Sequence, residues 1–439
     1  MSENWNKRGL LFVFLSLIIL PVSSIFGYTY YTRESNYLIP TDTSVKNIYV
    51  IPIDFKDVRY SDFISWLYSF SAKLPISNWR VTQQFGGCTV KDFYEKASFG
   101  KYSPNFIIIY NNSNNLVNPI RLNKPLSYYG KNALTYGNTT FFDPDKTDVN
   151  KEKLFIELLN LLGSHNFSTN LKIKYPEDIG SKIKTIMIVY PTAGELFTNN
   201  SSDIFPQAWF GYPFYPNKYI NLMLIPYNAS VEIIVHELGH TLGLLDLYGN
   251  KYSNRGLVMT PMALLRLVNF LSIEKYWLGW YNSSQMLIFT NGSAEIKLYP
   301  VDQCINGKFH LVMIPIDNYS FYFVEYRRNC SEAIIDNNMP RSGVFIYLFN
   351  MSLKEPHSLF AGKIIKYLEI IDHSCIKSID SYLINVRIID KNFVELEIID
   401  KNKAPNKALM RLCEIYLPYI ISLLVIMLLA IIVRNKLRE

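Results

Sequence analysis

The chain reads as an α+β protein in which a region of mixed strands and helices is followed by a mainly β region, with an apolar segment at each end. Three observations predict this. Up to about residue 280, β-type runs alternate with helix-patterned stretches. After Tyr281 the texture changes to short β-type runs separated by Asn, Gly and Pro. A long uncharged apolar run lies close to each terminus.

In chain order, Lys7 and Arg8 precede an apolar run from Gly9 to about Phe26, broken by Pro21 and followed by Ser23, Ser24 and Gly27. Residues 1–27 are therefore expected to be a secretory signal or an uncleaved signal anchor. Residues 28–45 have the place of a pro-segment but hold no cysteine that could block a metal. Lys46–Lys56 (KNIYVIPIDFK) is rich in β-formers and reads as a strand. Thr89–Gly100 has a Thr N-cap, an acid at Asp92 and a glycine stop, which makes a short helix. Glu152–Leu162, closed by Gly163, is a second helix. Lys184–Tyr190 is a buried-type strand, and Asn221–Ile225 reads as another.

Next comes the run His-Glu-Leu-Gly-His-Thr-Leu-Gly-Leu-Leu-Asp at 236–246. Ser230 is a plausible N-cap, and Val231, Ile234, Val235, Leu238 and Leu242 form one apolar stripe at helical spacing. Two histidines four apart lie about 40° from each other around a helix axis, so both imidazoles can reach one tetrahedral zinc. Glu237 follows the first ligand and suits a general base acting on water. Gly243 can take the left-handed conformation that ends a helix, letting the chain turn back so that Asp246 supplies a third ligand. Three protein ligands leave a fourth position open, as in a catalytic rather than a structural site. The expected cofactor is thus Zn2+, held by His236, His240 and Asp246. The other histidines, His165, His310, His357 and His373, lack ligand spacing. Asp143, Asp145 and Asp148 hint at calcium, but Pro144 and a missing glycine argue against an EF-hand loop.

Beyond Tyr281, Met286–Thr290, Ala294–Tyr299, Phe309–Ile316, Phe321–Tyr326 and Val344–Phe349 are strand candidates, and Leu383–Ile389 with Phe393–Ile399 looks like a hairpin. Residues 401–414 read as a polar juxtamembrane stalk. Ile415–Val433 carries no charge over 19 residues, close to the ~20 that span a bilayer core. Arg434, Lys436 and Arg438 follow it, so residues 434–439 are expected to be a cytoplasmic tail. The segments between are a catalytic domain over 28–280 and a mainly β domain over 281–400. Both would be extracellular on a protein of the cell membrane.

Composition agrees with that address. Eleven Asn-x-Ser/Thr sequons, from Asn111 to Asn350, all fall between the two apolar ends. Cys88, Cys304, Cys330 and Cys375 are enough for two disulfides in an oxidising setting, with Cys304–Cys330 the first guess, while Cys413 stands at the membrane boundary. The net charge of +7 is mild, and no basic cluster with interleaved aromatics suggests nucleic acid. Only 18% of residues are charged, so the surface would be hydrated by neutral polar groups and glycans, which suits an acidic medium. No internal repeat is present.

Taken together, the chain resembles the immune-inhibitor-A-like metallopeptidases, secreted zinc endopeptidases related to the metzincins. HELGHTLGLLDLYG (236–249) is similar to that family's HExxHxxGxxD and its Tyr-containing turn. Tyr49–Asp57, Thr89–Tyr102, Ser272–Trp280 and Phe321–Arg328 with Gly343–Tyr347 are similar, in order, to flanking family segments, so the likeness covers roughly residues 46–350. The resemblance implies a metzincin-like zincin catalytic domain with His236, His240 and Asp246 on zinc and Glu237 as general base. It also implies a methionine turn beneath the metal, with Met259 the first choice and Met262 the second. Tyr248 and Tyr252 are nearby phenols that could stabilise an oxyanion. The expected activity is hydrolysis of peptide bonds in extracellular protein or peptide substrates. The alternative is a non-catalytic zinc-binding surface or adhesion protein that retains the scaffold, although a binding module has no need of Glu237.

Overall fold

The computed structural model describes residues 47–76, 87–113, 116–130, 150–164, 184–194, 198, 203–215, 218–247, 260–263, 267–329, 335–336, 339, 342–350 and 363–436. The first strand, β1 (Asn47–Asp54), is buried at every position after Asn47. Helices α1 (Phe63–Lys73) and α2 (Val90–Ala97) follow. Then come β2 (Asn105–Ile108), the short strands β3 (Asn111–Ser113), β4 (Leu116–Asn118) and β5 (Ile120–Arg121), and helices α3 (Leu126–Tyr129) and α4 (Lys151–Ser164). Strands β6 (Thr185–Tyr190), β7 (Gln207–Tyr215) and β8 (Lys218–Pro226) lead into helix α5 (Val231–Thr241).

These elements build a mixed sheet in the order β2-β1-β6-β8-β7, with β5 paired to β1 beside that path. Strands β2, β1, β6 and β8 run parallel, and β7 is an antiparallel edge. Because side chains alternate across a strand, the sheet feeds two cores. Ile48, Val50, Met187, Val189, Met223 and Ile225 pack with α1, α2 and α5. Tyr49, Ile51, Ile186, Ile188, Leu222 and Leu224 pack with Leu154, Leu158 and Leu162 of α4. Helices on both faces explain why β1 and β6 read as unbroken apolar runs rather than alternating ones. Helix α2 begins as its sequence suggests. Thr89 Oγ1 accepts from Asp92 N, Asp92 accepts from Thr89 N, and Gly100 has the left-handed φ of 78° just past the end.

The second half starts with helix α6 (Ser272–Trp277) and continues through β9 (Met286–Ile288), β10 (Ser293–Leu298), β11 (Leu311–Pro315), β12 (Ser320–Arg327), β13 (Gly343–Asn350), β14 (Lys363–Ile371), β15 (Cys375–Ile379), β16 (Tyr382–Ile389) and β17 (Val394–Asp400). A five-stranded sheet runs β14-β13-β12-β11-β9 and a four-stranded antiparallel sheet runs β10-β17-β16-β15. Val312, Val324, Val344 and Ile346 of the first pack against Ile384, Val386, Leu396 and Ile398 of the second, which makes a sandwich. The other face of the five-stranded sheet turns inward. Its Met313, Phe323, Tyr347 and Phe349 belong to the same core as α1, α2, α5 and Trp277. The expected border at residue 280 is therefore a change of texture and not a gap in packing. The described residues from Asn47 to Lys436 form one compact unit.

The C-terminal helix α7 (Pro405–Lys436) departs from expectation in two ways. Its first turns are no free stalk, since Ala408 is buried against Leu383 and Ile399. Lys407 and Arg411 also reach the buried Glu397 at 3.0 and 2.7 Å. Nor is the apolar run one straight rod. Among the described residues no single helix is long and apolar enough to cross a membrane, whereas Pro405–Cys413 and Tyr416–Met427, bent by 45°, satisfy length and composition together. Pro418 lies inside this helix. Having no N–H for the carbonyl of Glu414, it removes one helical bond at the bend. Residues 1–46, and with them the expected signal segment, lie outside the described residues.

Candidate metal centre

Strand β8 delivers the chain to α5, and Ser230, in extended conformation at the N-cap, turns it into the helix. The apolar stripe of Val231, Ile234, Val235 and Leu238 is buried, as its spacing predicts. Tyr94 Oη donates to Val235 O at 2.7 Å, and Asn221 Nδ2 donates to Thr241 O at 3.0 Å, fixing the helix against α2 and β8. Gly243 takes φ 94° and ends the helix, with Leu244 N donating to Gly239 O at 3.1 Å.

That reversal brings Asp246 back over the histidines. Its Oδ1 lies 3.1 Å from His236 Nε2 and 3.1 Å from His240 Nε2, and the two Nε2 atoms are themselves 3.1 Å apart. The three donor atoms thus form a near-equilateral triangle. Ligands on a tetrahedral zinc, at about 2.0–2.1 Å from the metal, sit about 3.3–3.4 Å from one another. These three side chains form the one such metal-ligand cluster among the described residues.

Hydrogen bonding fixes which ring nitrogens face the triangle. His236 Nδ1 lies 2.8 Å from Pro261 O, and His240 Nδ1 lies 2.9 Å from Leu244 O. A carbonyl oxygen only accepts, so each Nδ1 carries a proton and each Nε2 faces inward, the nitrogen that a metal would take. With both Nε2 atoms unprotonated, two lone pairs and the buried Asp246 Oδ1 would face one another. Such an arrangement is repulsive unless positive charge sits within it. The ionisation of the site says the same. Burial pushes His240 down, yet the Asp246 carboxylate overrides it and raises the group to about 9. Burial likewise pushes Asp246 up, and the two histidines carry it well below the ordinary carboxylate range. The chemistry and spacing of the donors fit zinc.

Glu237 is 6% exposed, and its Oε2 is buried without a hydrogen-bond partner. Burial raises its pKa, the two histidines oppose that rise, and Asp246 adds to it. A carboxylate held next to the ligands with an uncommitted oxygen suits proton transfer. Beneath α5, the sulfur of Met262 lies only 2.5 Å from where a Cβ on Gly239 would stand. Met262 is fully buried against α5, while Met259, Tyr248 and Tyr252 lie outside the described residues.

Sequence reasoning named the three side chains that converge here and Glu237, but not the groups that support them. The carbonyls of Pro261 and Leu244 carry no side-chain signal, so only coordinates reveal them. Of the remaining histidines, His310 is buried among backbone partners, with Nδ1 at 2.9 Å from Pro300 O and Nε2 accepting from Ile305 N at 3.1 Å. His373 is exposed beside Asp372. His165, His357, the three aspartates at 143, 145 and 148, and Cys330 fall outside the described residues, and so does the guessed Cys304–Cys330 bridge. No protein-family model and no curated protein matches the chain.

Proposed function

We propose that the chain is a membrane-anchored zinc endopeptidase of the immune-inhibitor-A-like kind, acting on peptide bonds of extracellular proteins. The observation that carries this reading is the convergence of the His236, His240 and Asp246 donor atoms, with Glu237 beside them. In this reading the two imidazoles and one carboxylate hold Zn2+, which when bound acidifies a water and polarises the scissile carbonyl. Glu237 takes the proton of the attacking water and delivers it to the departing amine. Burial of Glu237 supports that role, because a carboxylate whose pKa is raised holds the proton more readily between the two transfers. Asp246 would offset part of the cation's charge, and an aspartate, ordinarily ionised above about pH 4, meets less competition from protons than a third histidine would.

Membrane anchoring rests on α7. From Leu417 to Met427 its apolar side chains are about half exposed or more, an arrangement that water disfavours and lipid accepts. The test uses the full-length chain in detergent with an unfolded protein as substrate. Hydrolysis is expected to stop with a chelator and return with Zn2+. Glu237→Gln is expected to keep one zinc per chain and lose about 10²–10⁴-fold in rate. Undiminished hydrolysis by Glu237→Gln contradicts the assignment, and bound zinc without any hydrolysis favours the non-catalytic surface protein.

A further inference from the structure

The Thr260–Ala263 turn beside the candidate metal centre is itself held by a buried carboxylate. Thr260 Oγ1 donates to Glu274 Oε2 at 2.6 Å, and Leu271 N donates to the same oxygen at 2.7 Å. Glu274 is 1% exposed. On the other side, the Thr260–Ala263 turn touches the metal centre three times. Pro261 O accepts from His236 Nδ1, Met262 O accepts from Leu247 N at 2.8 Å, and the Met262 sulfur lies under Gly239. Leu247 directly follows the ligand Asp246, so one four-residue turn bears on two of the three ligands.

Glu274 is in turn fixed by the β sandwich. Segment 269–272 leads into α6, and buried charged groups from β12 and beyond hold its backbone. Ser272 N donates to Glu325 at 2.6 Å, Asn269 N donates to Asp336 at 2.7 Å, and Arg327 donates to Asn269 O. Arg327 lies 3.6 Å from both Glu325 and Asp336. Three buried carboxylates, two of them sharing one arginine, are a costly way to cap a six-residue helix. Their common product is a rigid seat for Thr260.

We propose that Glu274 is a positioning residue of the metal centre: through the Thr260 hydroxyl it fixes the 260–263 turn, and through that turn the orientation of His236 and the placement of Asp246. This rests on the zinc reading above. Glu274 touches no substrate and no reacting atom. Its effect passes through the tautomer and aim of His236, the kind of outer partner whose loss costs about 10–100-fold in metal affinity.

The test compares zinc affinity, by chelator competition, and the visible spectrum of the Co2+-substituted form in the full-length chain. Thr260→Val is nearly isosteric and leaves the Glu274–Leu271 bond intact, so it cuts the link to the turn without uncapping α6. It and Glu274→Ala are each expected to weaken zinc binding by about 10-fold or more and to alter the Co2+ bands. Both bonds end on one oxygen, so Glu274→Gln can keep both and is expected to rescue affinity and spectrum. Should Glu274→Ala fail to fold, Thr260→Val decides. Wild-type zinc affinity and an unchanged Co2+ spectrum in Thr260→Val overturn the proposal while leaving the zinc site standing. A wild-type chain that binds neither Zn2+ nor Co2+ overturns the zinc reading itself.

Discussion

At the scale of single residues, the metal centre shows which identities are dictated by contact. Gly239 sits inside α5, where glycine costs about 1 kcal/mol relative to alanine. It persists because a Cβ there would collide with the Met262 sulfur at 2.5 Å. Gly239→Ala is therefore expected to give up the gain in helix propensity, push Met262 aside and weaken zinc binding, as read by chelator competition. An alanine variant that is more stable and binds zinc as before would contradict this. His310 makes a second residue-scale case. Burial lowers its pKa from 6.5 to about 4, since the charged ring would lose water and still have to accept from Ile305 N. A histidine depressed in the fold contributes stability that is whole above the unfolded value and is lost as pH falls. The loss is thus expected between about 6.5 and 4, up to about 3 kcal/mol, and His310→Gln is expected to flatten that slope in urea unfolding. This group works against the acid tolerance that the sparsely charged surface suggests. The convergence of His236, His240 and Asp246 was legible because their spacing and the Gly243 turn are local signals. His310 was not, because nothing in the sequence tells a lone buried imidazole from an exposed one.

At the scale of elements, what could be read was whatever carried a local signal. Strands β1 and β6 and helix α2 announced themselves through apolar runs and the Thr89–Asp92 cap. Helix α1 was missed although Asp62 caps it, accepting from Ser65 N at 3.0 Å, and Phe63, Trp66, Leu67 and Phe70 recur at helical spacing. Its aromatic, serine-rich composition lacks the strong helix formers that make such a pattern conspicuous. Strand β12 shows no alternation because all eight residues are buried, one face in the sandwich and the other against the core that includes α5. The root of α7 was taken for a stalk because its partners are remote in sequence. Burial alone would raise Glu397, but Asn385, Lys407 and Arg411 hold it down to about 2. A depressed carboxylate contributes stability above about pH 4.5 that is lost as pH falls toward 2. Amide protection over residues 405–412, taken relative to the intrinsic exchange rate at each pH, is accordingly expected to stay high at pH 5 and to fall toward pH 2. Glu397→Ala, which leaves Arg387, Lys407 and Arg411 without their shared partner, is expected to expose the same segment already at pH 7.

At the scale of the whole molecule, the five-stranded sheet serves two cores at once. Its inner face joins Met313, Phe323, Tyr347 and Phe349 to the core of α5 and Trp277. A chain ending near residue 281 would expose those partners and leave the 269–272 segment without Glu325, Arg327 and Asp336. Such a truncation is expected to yield no folded, zinc-binding species by near-ultraviolet circular dichroism and metal analysis. An independently folding fragment would contradict this. The change of texture after Tyr281 made the β region legible, but that it completes the first core could not be seen, because a shared sheet face leaves no mark in local pattern. The central claim is that two imidazoles and one carboxylate share a single zinc with one place open. Zinc K-edge X-ray absorption of the full-length chain tests it most directly. One zinc per chain, four-coordinate with nitrogen and oxygen only and with scattering from two imidazoles, is the expected result. Sulfur ligation, three or more imidazoles, or well under one zinc per chain after loading would contradict it.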